Sequence, residues 1–340
     1  MIRKRRVLGA LAGALMLALV VAQPPGVAKR GPVRYPNLDR VPRPNVTGPQ
    51  IIKGLEDFVE RFPLRQNMLP NNIAAAQFLS KEAKRSGFKS RILELQAGTP
   101  ERTVRVVEAV KRGTEKPDEW IAFVAHYDVV AGGGVTVQGA YDDGSGTNML
   151  RYFGKALSKI KTKKSIALLW FDAEENGLLA SEVYAKKLRK RGQKISAVMG
   201  FDMVGIGHPA PYCICVYHGP TAPDHTIGLP IIEHVHFDYL GFPRGDGGTA
   251  TQRWPVGGEG HVCSCGVNIR NSDESNFADV GYMTLRWTGM RTAADYPGYH
   301  QPWDTIPFME QVAEGRENLE KGTFNTFLGA WYTTFVLDNL

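Results

Sequence analysis

Two adjacent carboxylates close an apolar, strand-like stretch: Ile166 to Phe171 runs into Asp172, Ala173, Glu174 and Glu175 before Asn176 and Gly177 turn the chain. A buried strand that ends in acids needs compensation, because a carboxylate at the rim of a core costs several kcal/mol or more to desolvate unless hydrogen bonds or a cation offset it. A metal ion is the natural partner. For an isolated Glu-Glu pair the plain alternative is a solvated loop carrying two acids, and the rest of the chain decides between the two.

Hydrophobic periodicity predicts helices over 51–62 and 71–86, the second with Ala74, Ala75, Phe78, Leu79 and Ala83 available for one face. Segments 90–95, 103–111 and 120–125 read as strands. The middle one partly alternates and Ile121 to Ala125 is continuously apolar, the pattern of an edge hairpin feeding a buried central strand. Helix 146–159, strand 166–171, helix 178–190 and strand 196–201 then alternate, which implies parallel strands with crossover helices. Residues 205–282 read as loop-rich excursions carrying the glycine clusters 245–248 and 257–260, followed by a strand over 283–288. Residues 308–337 read as mainly helical, with Gly315, Gly322 and Gly329 giving room for close packing. The expected fold is α/β, with a central mixed, largely parallel β-sheet flanked by helices.

Arg3-Lys4-Arg5-Arg6, an uncharged apolar run from Val7 to Ala22, and Gln23-Pro24-Pro25 form the three regions of a secretory leader. Cleavage after Ala22 is expected, with a second candidate after Ala28. The apolar run is short for a full membrane span, so a membrane is contacted only through the leader if it stays uncleaved. Losing the four positive charges of the leader takes the formal net charge from +7 to +3. No stripe of Lys and Arg interleaved with aromatics marks a nucleic-acid groove. Residues 1–22 are therefore read as signal peptide, 23–49 as an extended lead-in, and 50–340 as one catalytic domain, with an extracytoplasmic (periplasmic or secreted) location. Four cysteines occur as Cys213/Cys215 and Cys263/Cys265. An even count in an exported protein favours disulfides, and the one-residue gap is tighter than the usual spacing of a four-cysteine zinc site.

Mapped onto these elements, His126 and Asp128 follow strand 120–125, Asp142 and Asp143 lie in the run Gly139 to Gly146, Glu174 and Glu175 follow strand 166–171, and Asp202 follows strand 196–201. Open α/β sheets bind ligands at the carboxyl ends of their strands, so these residues are expected to converge. His300, in Tyr299-His300-Gln301-Pro302-Trp303-Asp304-Thr305, adds a second imidazole from a late loop. Two imidazoles with several carboxylates suit Zn²⁺ and tolerate Mn²⁺ or Co²⁺, and the set is large enough for two ions sharing a bridging carboxylate. In His126-Tyr127-Asp128 the aspartate can fix the tautomer of the imidazole, and Asp304 is expected to do the same for His300.

Five motifs in order, His126 to Asp128, Gly139 to Gly146, Phe171 to Leu178, Phe201 to Met203 and Tyr299 to Thr305, resemble the co-catalytic zinc exopeptidases of peptidase family M28. The resemblance implies a zinc-exopeptidase-like fold of the phosphorylase/hydrolase type and cleavage of amino-terminal residues from peptides. Carried over by motif, it makes Asp142 the bridging carboxylate of two Zn²⁺ ions, His126 and Asp202 ligands of one, and Glu175 and His300 ligands of the other. Glu174 becomes the general acid/base acting on a metal-bridged water, with Asp128 beside it in the catalytic set. Peptides or amino-acid amides are the implied substrates. One departure is that Ser272-Asp273-Glu274 stands where relatives often have Ser-Asp-His, which puts substrate contacts there in question. A single-zinc glutaminyl cyclase on the same fold and a catalytically silent binding protein are the alternatives. Side-chain preference and oligomeric state depend on loop geometry, which periodicity does not encode.

Other features carry structural readings. Glu233-His234-Val235-His236 is expected to be a surface turn with one core-facing histidine rather than a metal cluster. Gly132 to Gly134 lacks the lysine of a phosphate-binding loop, and Ser145 lacks the elbow context of a serine nucleophile. Trp254, Trp287 and Trp303 are candidates for either a side-chain pocket or the core.

Overall fold

The continuous apolar runs become the middle of an eight-stranded mixed sheet with the order β1-β2-β4-β3-β5-β8-β6-β7. The computed structural model describes residues 35–130, 136–206, 214–218, 227–242, 262–267, 271–289 and 296–340, with the backbone alone over 214–218 and 262–267. The strands are β1 (Lys89–Ala97), β2 (Arg102–Lys111), β3 (Lys116–His126), β4 (Lys164–Phe171), β5 (Lys194–Phe201), β6 (Ile214–His218), β7 (Val262–Val267) and β8 (Thr284–Thr288). The neighbours β4/β3, β3/β5, β5/β8 and β6/β7 run parallel, whereas β1/β2, β2/β4 and β8/β6 run antiparallel. The edge hairpin is present, but β2 pairs with β4 and not with the next strand in sequence. β6 and β7 lie in the stretch that reads as loops, which corrects that expectation at those two segments.

Both faces of the central strands are covered, so their sequences do not alternate. Val107, Ala109, Ile121, Phe123, Ile166, Leu168, Trp170 and Met199 point to one side and pack against α1 (Gly48–Arg61), α2 (Pro70–Arg85), α3 (Ser145–Leu157) and α8 (Arg316–Asn339). Val106, Ala122, Val124, Leu169 and Val198 point to the other, against α4 (Leu179–Lys190) and α6 (Glu274–Asp279). The remaining α-helices among the described residues are α5 (Leu229–Glu233) and α7 (Ile306–Val312). α1 starts on a capping box in which Gln50 N–H donates to Thr47 Oγ1 and Thr47 N–H to Gln50 Oε1. The lead-in from residue 35 packs on the fold: Leu38 and Val46 are buried, and Trp331 Nε1 donates to the Pro42 carbonyl.

The late helical region divides where Gly315 takes φ +127°, and Gly329 gives the close approach its sequence suggests: a Cβ there would lie 2.1 Å from His236 Nε2. His236 is the core-facing histidine, bonded through Nδ1 to the Ile232 carbonyl and through Nε2 to Trp287 Nε1–H. Trp287 is core, whereas Trp303 is half-exposed. The leader, Gly132 to Gly134, the two glycine clusters, Cys213 and Trp254 lie outside the described residues. Backbone register sets Cys215 opposite Cys263 on β6 and β7. Among the described residues no helix is long and apolar enough to cross a membrane.

Candidate metal centre

Parallel register carries the acids of separate segments to one edge. His126 pairs with Phe171 across β3 and β4, and Val124 pairs with Gly200 across β3 and β5. The residues just past those ends, Asp128, Glu174, Glu175 and Asp202, therefore emerge side by side. The loop from Gly139 joins them because its glycines permit it. Gly139 takes φ +55°, which L side chains disfavour, and a Cβ on Gly146 would lie 2.3 Å from the Phe201 carbonyl, so the start of α3 rests directly on the end of β5.

Two groups of potential ligand atoms form among the described residues, His126/Asp142/Asp202 and Asp142/Glu175/His300, each with its atoms within 4.8 Å of one another. Asp142 belongs to both. Its Oδ1 lies 3.2 Å from His126 Nε2 and its Oδ2 lies 3.2 Å from His300 Nε2. Asp202 Oδ1 is 3.8 Å from His126 Nε2, and Glu175 Oε2 is 3.1 Å from His300 Nε2. The other Glu175 oxygen, Oε1, is buried without a hydrogen-bond partner. An orphaned carboxylate oxygen among crowded carboxylates and imidazoles is what a site for divalent cations requires, so the residues present fit the two-ion arrangement.

Asp128 holds the Glu-Glu pair in place. Its Oδ1 and Oδ2 accept from the backbone N–H groups of Glu174 and Glu175 at 3.2 and 3.3 Å. Oδ1 also faces His126 Nδ1 at 3.4 Å, the contact expected of a carboxylate that orients a ligand imidazole, though longer than a good hydrogen bond.

Asp304 does not fix the His300 tautomer as its spacing suggests. It is 1% exposed and accepts from Tyr141 N–H (2.9 Å), Asp142 N–H (3.0 Å) and Tyr296 O–H (2.7 Å). It anchors the backbone that carries Asp142. Burial pushes its carboxyl up to about 7 despite those donors. Ser145 is likewise structural: its hydroxyl donates to the Tyr141 carbonyl and accepts from Val204 N–H.

Two buried arginines contribute without any motif to announce them. Arg65 donates to the carbonyls of Tyr127, Phe62, Gln138 and Gly139, tying the segment after α1 to both ligand loops. Arg286, in β8, donates to Asp202 Oδ2 at 2.8 Å. The one signal for it is a lone charge within the strand-like stretch Met283 to Thr288.

Without metal, the two imidazoles hold protons strongly. Burial opposes the charge on His126, but Glu174 and the contacts with Asp128, Asp142 and Asp202 raise it well above the usual value. Burial likewise opposes the charge on His300, yet bonds to Asp142 and Glu175 raise it to about 10. Its stabilisation of the metal-free protein is complete below the unfolded imidazole value and is lost as pH rises through about 10. The Glu175 carboxyl is raised to about 7, by burial and then by Asp142. A cation must displace these protons. Apparent metal affinity is therefore expected to rise as pH increases from about 6 to about 9, with measurable proton release on binding. A calorimetric titration showing constant affinity over that range would contradict this.

An α/β sheet that gathers imidazoles and carboxylates at its strand ends in this way has a fold shared by solved aminopeptidases and glutaminyl cyclases. Residues 105–228, which carry four of the five residues in the two ligand groups, match the model of peptidase family M28. Aminopeptidase YwaD of Bacillus subtilis is 27% identical over 221 residues, covering 64% of this chain and 43% of that protein. Among solved structures, the Legionella pneumophila LapA aminopeptidase superposes with a TM-score of 0.65 at 17% identity, covering 92% of this chain and 78% of that one. A glutaminyl cyclase from an Acidobacteriales bacterium superposes with a TM-score of 0.63 at 19% identity, covering 94% and 98%. The chain spans less than half the length of the curated relatives it matches.

Proposed function

We propose that this chain is an exported, zinc-dependent aminopeptidase that uses two ions and releases amino-terminal residues from peptides or amino-acid amides. The observation that carries the proposal is the pair of ligand groups sharing Asp142, with an additional acid, Glu174, beside them and belonging to neither. His126, Asp142 and Asp202 would hold one ion, and Asp142, Glu175 and His300 the other. When bound, such a pair supplies Lewis acidity that polarises the scissile carbonyl and acidifies a water.

The protein groups supply the rest. Burial pushes the Glu174 carboxyl well above its usual range, and Asp202, Asp273 and Glu175 push the same way against His126. That environment suits a group that takes a proton and returns it to the leaving amine near neutral pH. Asp128 holds Glu174 by its backbone, so the side chain stays free to move the proton. The leader at 1–22 accounts for export, residues 50–340 act as one catalytic domain, and the four cysteines pair as disulfides, so a thiol titration of the exported protein should find none free.

The substrate class is tested with a panel of aminoacyl amides, amino-blocked peptides and a peptide beginning with Gln. Release of free amino acids from unblocked substrates only is expected. Hydrolysis of blocked peptides, or ring closure of the Gln peptide without hydrolysis, would overturn the aminopeptidase reading, the second in favour of a cyclase.

A further inference from the structure

Behind the ligand cluster, a second set of buried charges meets Asp202. Arg286 is 3% exposed, and its Nη1 bonds Asn271 and lies 3.7 Å from Glu274 Oε1. Glu274, 1% exposed, opens α6 and packs on β5, where a Cβ on Gly200 would come within 2.8 Å of Glu274 Oε2. The two oxygens of Asp202 are thus divided: Oδ1 turns to His126, and Oδ2 takes the Arg286 guanidinium. Glu175 carries no such restraint, since its Oε2 faces His300 and its Oε1 accepts no hydrogen bond. Each group of potential ligands contains one imidazole and shares Asp142. The two groups therefore differ in the remaining carboxylate.

We propose that Arg286 and Glu274 together set the affinity of the His126/Asp202 position and make it the weaker of the two. The inference rests on the two-ion reading above. A guanidinium bonded to a ligand carboxylate draws on the charge that would otherwise attract the cation and fixes which oxygen is offered. Glu274 counters part of that effect because it shares the charge of the same arginine. The pair acts as a positioning and tuning device, and neither residue is assigned contact with the ion.

The test titrates the metal-free full chain with Zn²⁺ against a chromophoric chelator, so that binding is read without reference to activity. Two steps are expected in the wild-type protein, the tighter one lost in Glu175→Gln. Glu274→Gln should weaken the second step about tenfold or more by leaving more of the arginine's charge on Asp202, with the first step within about twofold. The double variant Arg286→Met with Glu274→Gln removes the cation and its counter-charge together, and should restore or tighten the second step. Circular dichroism and thermal melting confirm that each variant is folded. Two equal steps, or a second step that a folded Glu274→Gln leaves unmoved, would overturn the inference and leave the two-ion reading standing. Binding of one ion or none would overturn that reading and this inference with it.

Discussion

Replacing Glu174 by glutamine is expected to lower kcat for aminoacyl-amide hydrolysis about a thousandfold while metal content stays at the wild-type level. Glutamine keeps the shape and the backbone bond from residue 174 to Asp128 but cannot accept or return a proton. The residue lies outside both ligand groups, so metal retention separates lost proton transfer from a damaged centre. Substrate binding should change little, and the loss should fall on kcat rather than KM. Undiminished hydrolysis by a metal-replete Glu174→Gln variant would remove Glu174 from the mechanism.

Asp142→Ala should have a still larger effect, because one side chain serves both ligand groups. Its two oxygens lie 3.2 Å from the two imidazoles, so truncation takes a ligand from each position at once. Metal content is expected to fall from about two ions per chain to none, with activity at the level of a chelator-treated sample. The metal-free form should also change its response to pH. Burial raises the Asp142 carboxyl, but bonds to His126 and His300 outweigh it and hold the group well below its usual value. That stabilisation is present above the unfolded carboxylate pKa and is lost as pH falls through the lower folded value. The variant should lack this contribution to acid unfolding. Retention of one tightly bound ion would show that the carboxylate is not shared.

Much of this arrangement is legible in the chain because its signals are local. Strands β3 and β4 announce themselves as continuous apolar runs, and the acids that follow them sit at carboxyl ends where register alone brings them together. The motif glycines mark close approaches that only the absent side chain permits. Other features depend on contacts between distant segments. Asp304 reads as a partner of the nearby His300, yet the backbone N–H groups of Tyr141 and Asp142, from a loop far away in sequence, claim it. Arg65 satisfies carbonyls of three separate segments, which no spacing encodes. β6 and β7 are short and set among glycines and prolines, so their strand character comes from pairing at the sheet edge rather than from pattern.

The most direct test of the central claim is the metal content per chain of the purified full-length protein, measured together with hydrolysis of an unblocked aminoacyl amide before and after chelation. The account predicts about two zinc ions, activity that disappears on chelation and activity that returns with Zn²⁺. Hydrolysis that persists in a metal-free protein would contradict it.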